Sequence, residues 1–328
     1  MVRTDQLAQK PIPFNTPIVC NPWHDRLIIW KDPTTWHEPL SSWLMPLVAP
    51  RRKLRLKQRE SLDLCWDDPE WMERLDRALT DPIEFVVEKL AEDLGSATLE
   101  TYHGCRVHDA GVFHRDGLRI NDPEELEAEV RRMVRDEPAL HRFSDTVESM
   151  IAEFDARDRD VGRIWLCADD RPQLDRIGHY ALYGSEWILC VFDISARPAL
   201  REIGVPTILK IHIPFERMRT VFRKAFAEKL LQEWTRTTIN PTVWTPKIDF
   251  SISLLENVPA SMVVGHMHPA ALKDPFSGYA LRRSSREDCP HCSSDRITAS
   301  SASGDDAAIV ESPMPKSSEG GHGGILCV

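Results

Sequence analysis

No run of apolar residues in this chain is long enough to span a bilayer, and the opening Met1-Val2-Arg3-Thr4-Asp5-Gln6 carries no apolar signal core. Positive charge is not in excess: the formal net charge of -10 excludes a general nucleic-acid-binding surface, which needs a basic footprint. There is no Gly-Lys-Ser/Thr sequence and no Rossmann glycine triplet, so the two commonest glycine-built routes to nucleotide binding are closed. Nor is there the cysteine density of a stapled secreted domain. Most of the eight cysteines lie among apolar neighbours, as in Trp165-Leu166-Cys167 and Ile188-Leu189-Cys190-Val191, where they serve as small buried hydrophobes. Cys327 stands second rather than fourth from the end, so it does not form a prenylation box. The expectation is a soluble, cytoplasmic chain with no membrane partner.

What is present suffices for a real core. Hydrophobic residues make up 42% of the 328 and charged residues 28%, enough for one large or two modest domains. Residues 1–60 are rich in proline and tryptophan without periodicity, and read as irregular chain draped over a domain and tacked down by its aromatics. Within them Arg51-Arg52-Lys53-Leu54-Arg55-Leu56-Lys57-Gln58-Arg59 is a basic connector. Its simplest reading is a solvated run, and its functional reading a dock for phosphate or an acidic partner. Residues 61–282 alternate helical and strand patterns. Asp81-Pro82 opens a helix with Phe85, Val86, Leu90 and Leu94 in one stripe, stopped by Gly95. Asp122-Pro123 opens another with Leu126, Val130, Met133 and Val134 on one face. Strands are expected at Thr98–His103, Gly162–Ala168, Pro206–Pro214, Phe250–Leu254 and Met262–His266, with 186–194 open to either helix or strand. Residues 283–328 are rich in serine and glycine and read as a disordered tail.

The most pointed chemistry is in two short pieces. Tyr102-His103-Gly104-Cys105 ends a strand, and a short helix closing on Gly117-Leu118 follows it. Downstream, Gly178-His179-Tyr180-Ala181-Leu182-Tyr183-Gly184-Ser185-Glu186 sets two tyrosines, a serine and a carboxylate against paired glycines. Functional groups beside glycine suit a backbone that approaches a ligand closely. Over about residues 98–268 this order of parts resembles the ADP-ribosyltransferase superfamily, in its His-Tyr-acid branch of diphtheria-toxin-like and poly(ADP-ribose)-polymerase-like enzymes.

The resemblance implies an α+β fold with a split β-sheet core, N-terminal helical decoration and NAD as substrate, with no metal. It implies transfer of ADP-ribose to a macromolecular acceptor, protein or nucleic acid. On that reading His103 binds the ribose, Gly104 presents backbone to the nicotinamide amide, Tyr180 stacks on the ring, and Tyr183 and Ser185 complete the pocket. The branch's acid falls on Asp249, ahead of Asn257-Val258-Pro259, with aspartate where the family has glutamate; Glu186 is the second candidate. The shorter acid leaves room for a non-catalytic interaction protein on the same scaffold. An RNA 2'-phosphotransferase, which needs arginines around its histidine, has Arg106 and Arg115 nearby.

Each residue also has a plainer reading. His103 also reads as a strand-end histidine, Tyr180 and Tyr183 as core aromatics, and Asp249 as the opening of a strand. Cys105 beside His103 suggests a Cys/His nucleophile, but no third group is evident to lower its pKa. Two pairs have metal-ligand spacing, Cys289-Pro290-His291-Cys292 and His266-Met267-His268. Each alone falls short of the four ligands a structural zinc takes.

Overall fold

The computed structural model describes residues 21–52, 64–155, 161–285 and 288–293. Its strands are β1 (Leu27–Ile28), β2 (Thr98–Val107), β3 (Ile164–Cys167), β4 (Val205–Pro214), β5 (Ser251–Leu254), β6 (Val263–Met267), β7 (Ala271–Asp274) and β8 (Ala280–Arg283). One sheet runs β5-β3-β2-β4-β6, with β1 added in parallel beside β2, and β7 pairs with β8 separately. The other pairings are antiparallel, and helices surround the sheet, so the chain is an α+β fold. Among the described residues no helix is long and apolar enough to cross a membrane.

The spine is β2 against β4, whose register runs unbroken from Thr98↔Pro214 to Val107↔Val205. The first five residues of β4 are buried on both faces, as expected for a strand covered on both sides. The contact of β2 with β3 is different in kind: a single pairing, Tyr102↔Cys167, after which the two strands part. The sheet is therefore split next to His103, and this wedge is what the rest of the site fills.

Two apolar clusters flank the sheet. In the larger, the helix Thr220–Ile239 packs on the helices Glu70–Asp76 and Ile83–Asp93 and buries Phe226, Leu230, Leu231 and Trp234 in the cluster. The smaller gathers the helices Pro123–Asp136, Val147–Asp155 and Glu186–Val191 around Val130, Phe143, Ile151 and Phe154. The start of the Pro123–Asp136 helix follows its sequence signal: Asp122 accepts from the amides of Glu124 (2.9 Å) and Glu125 (3.4 Å), and Pro123 takes the first turn, where a missing N–H costs nothing. Residues 186–194 resolve as helix over Glu186–Val191, with Ser185 Oγ accepting from the Ile188 amide.

Three expectations are corrected. Phe85 is 57% exposed; the helix begins at Ile83, and that phase turns Val86, Val87, Leu90 and Ala91 inward instead. The N-terminal segment is held by its aromatics as expected, but it is neither irregular throughout nor only draped over the domain, since its tryptophans form part of the core. Trp23, Trp30 and Trp36 are fully buried, Trp30 stacks on Trp36 at 5.7 Å and meets Phe226 edge-on, and His37–Leu44 is helical. Bulky indoles remove more apolar surface from water than their neighbours, which favours their burial, and two of the three N–H groups find a polar partner. Trp30 Nε1 donates to the Pro246 carbonyl at 2.8 Å and Trp36 Nε1 to that of Trp30 at 3.2 Å. Third, the segment read as tail is structured in part: β8 reaches Arg283, and Cys289 is 1% exposed against Ala110 and Val205. Residues 294–328 lie outside the described residues. Of the basic run, Arg51 and Arg52 are described and exposed, with Arg52 donating to the Leu79 carbonyl; 53–59 lie outside.

Because Trp30 joins the first segment to both Phe226 and Pro246, Trp30→Ala is expected to lower stability by about 3–5 kcal/mol. Urea unfolding with an unchanged m-value checks this; a loss under about 1 kcal/mol, the scale of an ordinary surface change, would mean that the segment only covers the domain.

Candidate functional site

The wedge between β2 and β3 opens into a cavity of about 510 Å³. His103, Gly104, Tyr180, Ser185, Glu186 and Asp249 all line it, although they come from three segments spread over 147 residues. Concave sites of this size hold small-molecule ligands. Tyr183 is not in the wall. Its hydroxyl donates to the buried Asp274 carboxylate at 2.6 Å, and its ring packs in the smaller cluster, so it is a core tyrosine with its polar end satisfied. Burial, reinforced by Asp274, pushes its phenol up to about 12.

Local geometry explains each placement. Where β3 leaves β2, the Trp165 carbonyl faces His103, whose Nδ1 lies 2.9 Å away. A carbonyl only accepts, so Nδ1 carries the proton and Nε2 is left as an acceptor. Burial holds the imidazole below its ordinary pKa, partly offset by that carbonyl. His103 thus brings a neutral ring with a fixed tautomer to the wall. Gly104 is required by close approach: a Cβ there would stand 2.6 Å from Gln173 Oε1. Gln173 Nε2 donates to the Tyr102 carbonyl at 3.3 Å, which fixes its amide orientation. Its Oε1 is then buried without a protein partner, as is Nδ1 of His179, which also lines the cavity. Buried polar atoms are nearly always paired, so two orphans in one concave wall point to a ligand with complementary groups.

Tyr180 donates to Glu186 Oε2 at 3.2 Å, and its ring leans on His179 at 4.1 Å. The bond makes Glu186 a partner of Tyr180 at the wall. Ser185 caps the helix that carries Glu186, so its oxygen is already engaged. Asp249 is exposed between buried Ile248 and Phe250, and its carboxylate makes no hydrogen bond among the described residues. It is held by its surroundings. Asp169, fully buried, accepts from the Ile248 amide at 3.1 Å and from Arg171, which also donates to the Thr245 and Pro246 carbonyls. Burial pushes the Cys105 thiol up to about 12, which removes it as a nucleophile.

Several wall residues were not named as site residues from sequence: Trp165, Gln173 and Trp187, which lie in no motif, and His179 and Arg119, which lie within or beside the two pointed pieces, Arg119 bringing a guanidinium paired with Glu125 at 2.5 Å. Of the arginines near His103 in sequence, Arg106 donates to the carbonyls of Ile203, Ala181, Arg201 and Gly204, and Arg115 pairs with Asp116. Neither lines the cavity. The two separate metal-spaced pairs, His266/His268 and Cys289/Cys292, come together elsewhere on the sheet. No protein-family model, curated protein or solved structure matches the chain.

His37, His103 and His179 are all held below the ordinary value of 6.5 by burial. The unfolded chain therefore takes up these protons first as pH falls. Stability is fully present above pH 6.5 and is lost as pH drops from there toward the folded values. The variant His103→Asn keeps a donor for Trp165, and its unfolding free energy should fall less steeply below pH 6.5 than the wild type's. Equal slopes in parallel urea titrations would mean that His103 protonates as freely folded as unfolded.

Proposed function

We propose that the cavity binds NAD and that the chain transfers ADP-ribose from it to a macromolecular acceptor. The observation that carries this reading is the meeting of His103, Gly104, Tyr180 and Asp249 around one cavity. The order of these residues along the chain is the part of the sequence that resembles the His-Tyr-acid branch. The wall chemistry fits the substrate group by group. His103 Nε2 accepts from a ribose hydroxyl, and the orphaned Gln173 Oε1 accepts from the N–H of the nicotinamide amide. Tyr180 offers an aromatic face, and Arg119 a cation for the pyrophosphate.

In the reaction the bond between ribose carbon and nicotinamide nitrogen breaks, with its electron pair leaving on the nicotinamide. The ribose becomes cation-like, the acceptor's lone pair forms the new bond, and the acceptor's proton passes to solvent. Asp249 supplies the opposing charge. It needs no reorganisation to do so, because the Asp169–Arg171 pair holds the segment ahead of it in place. The 2'-phosphotransferase reading loses support, since Arg106 and Arg115 are engaged away from the cavity. A non-catalytic interaction protein has one observation in its favour: Asp249 is a carbon shorter than the family's glutamate.

Three variants separate these readings in assays with labelled NAD and calorimetry. His103→Ala should weaken NAD binding and turnover together, because the contact exists in ground and transition states. Asp249→Asn should leave binding nearly intact and lower turnover on the order of 100-fold, as for removal of one preorganised charge. Asp249→Glu should raise turnover if reach is limiting. Failure of both wild type and Asp249→Glu to bind NAD would overturn the enzyme reading in favour of the interaction protein.

A further inference from the structure

Away from the cavity, at the edge of the sheet, the end of β6 meets the segment 288–293. His266, His268, Cys289 and Cys292 each offer one ligand atom here, and all four atoms lie within 4.8 Å of one another. The two sulfurs are 4.0 Å apart, Cys289 Sγ is 3.9 Å from His266 Nε2, and Cys292 Sγ is 3.0 Å from the same nitrogen. A tetrahedral zinc with Zn–S of about 2.3 Å and Zn–N of about 2.0 Å needs ligand atoms separated by roughly 3.3–3.8 Å. The observed separations bracket that range.

The histidines are oriented as ligands. His268 Nδ1 lies 3.0 Å from the Pro206 carbonyl, which can only accept, so Nδ1 holds the proton and Nε2 holds the lone pair. That Nε2 is buried without a hydrogen-bond partner. Thr207 Oγ1, 3.1 Å from the same Nδ1, donates onward to the Val205 carbonyl, so it serves as a second acceptor. His266 Nδ1 is engaged 2.9 Å from His114 Nε2, and its own Nε2 faces the thiols. Metal-bound imidazoles are characteristically anchored in this way through the far nitrogen. The cysteine segment is anchored too: Asp109 Oδ1 accepts from the His291 amide at 3.2 Å and from that of Gly111 at 3.0 Å.

We propose that His266, His268, Cys289 and Cys292 form a structural zinc site that fastens residues 288–293 to the sheet. Two thiolates and two imidazoles in a closed, tetrahedrally spaced set suit zinc over harder cations and leave no position open for substrate. Neither half is complete in sequence; the Cys-x-x-Cys turn and the His-x-His strand end make a full set only because β6 lies beside β4 and the turn packs on Ala110 and Val205. The site is independent of what the cavity binds.

The test uses the full chain, purified untagged under reducing conditions, with metal measured by plasma mass spectrometry. About one zinc per chain is expected, falling on the order of tenfold or more in Cys289→Ser/Cys292→Ser and in His268→Ala. Cobalt added to the chelator-stripped wild type should give the intense visible bands of a tetrahedral thiolate site, a readout that requires no variant to fold. Removing zinc should expose 288–293 to protease while leaving NAD binding to be judged separately. Wild type that holds neither zinc nor tetrahedral cobalt would overturn the proposal. So would a Cys289–Cys292 disulfide, seen by mass in the protein isolated without reductant and blocking metal uptake even after reduction, or zinc retained in full by both variants.

Discussion

Asp169 is fully buried, and its carboxylate is gripped from two sides: Arg171 through Nε and Nη2, and the Ile248 amide. Arg171 reaches on to the Thr245 and Pro246 carbonyls, where it meets Trp30 Nε1 donating to the same Pro246 oxygen. One buried ion pair thus ties together the segment after β3, the strandless stretch before β5 and the N-terminal tryptophans. A buried charge stripped of its partner costs about 3–5 kcal/mol, so this junction has little freedom to rearrange. Asp249 directly follows the residue whose amide is gripped. Its exposure without a hydrogen bond of its own is tolerable because its backbone is fixed by others.

The same economy of groups appears where the sheet splits. Strands that part leave carbonyls facing an opening, and here side chains fill in: His103 on Trp165, Gln173 on Tyr102. Each such side chain is thereby oriented toward the cavity with one end fixed. The split makes the cavity, and closing its loose backbone groups sets the cavity's chemistry.

This explains how much was legible in the sequence. Signals that act over a few residues were readable: the Asp122-Pro123 cap, the alternation in the second half of β4, and the close of the short helix at Gly117, whose φ of 76° suits glycine and whose Cβ would collide with the Val258 carbonyl. His103, Gly104 and Tyr180 were readable because glycine beside a polar group is itself a local signal. Gln173 and Trp165 carry none, since what brings them to the wall is the parting of β2 and β3. Tyr183 misled because it shares a motif with Tyr180 but faces Asp274, an acid 91 residues away. The N-terminal aromatics were read as tacking the segment down, but the partners of Trp30 were not legible, because nothing near it in sequence announces Phe226 or Pro246.

The short helix Gly111–Asp116 lies between the cavity and the His/Cys cluster and touches both. Phe113 on it lines the cavity, and the adjacent His114 stacks on His291 at 4.9 Å and meets His266 at 2.9 Å. Neighbouring residues on a helix point about 100° apart, so one element serves both places only if it stays fixed in rotation. Gly117 and the Leu118↔Val258 bridge fix its far end. At its near end the restraint comes from Asp109 and the His/Cys cluster. A metal that locked His266 would therefore also hold His114, and through it the face that Phe113 presents to the cavity, so that an ion outside the cavity's wall would still help set the cavity's shape.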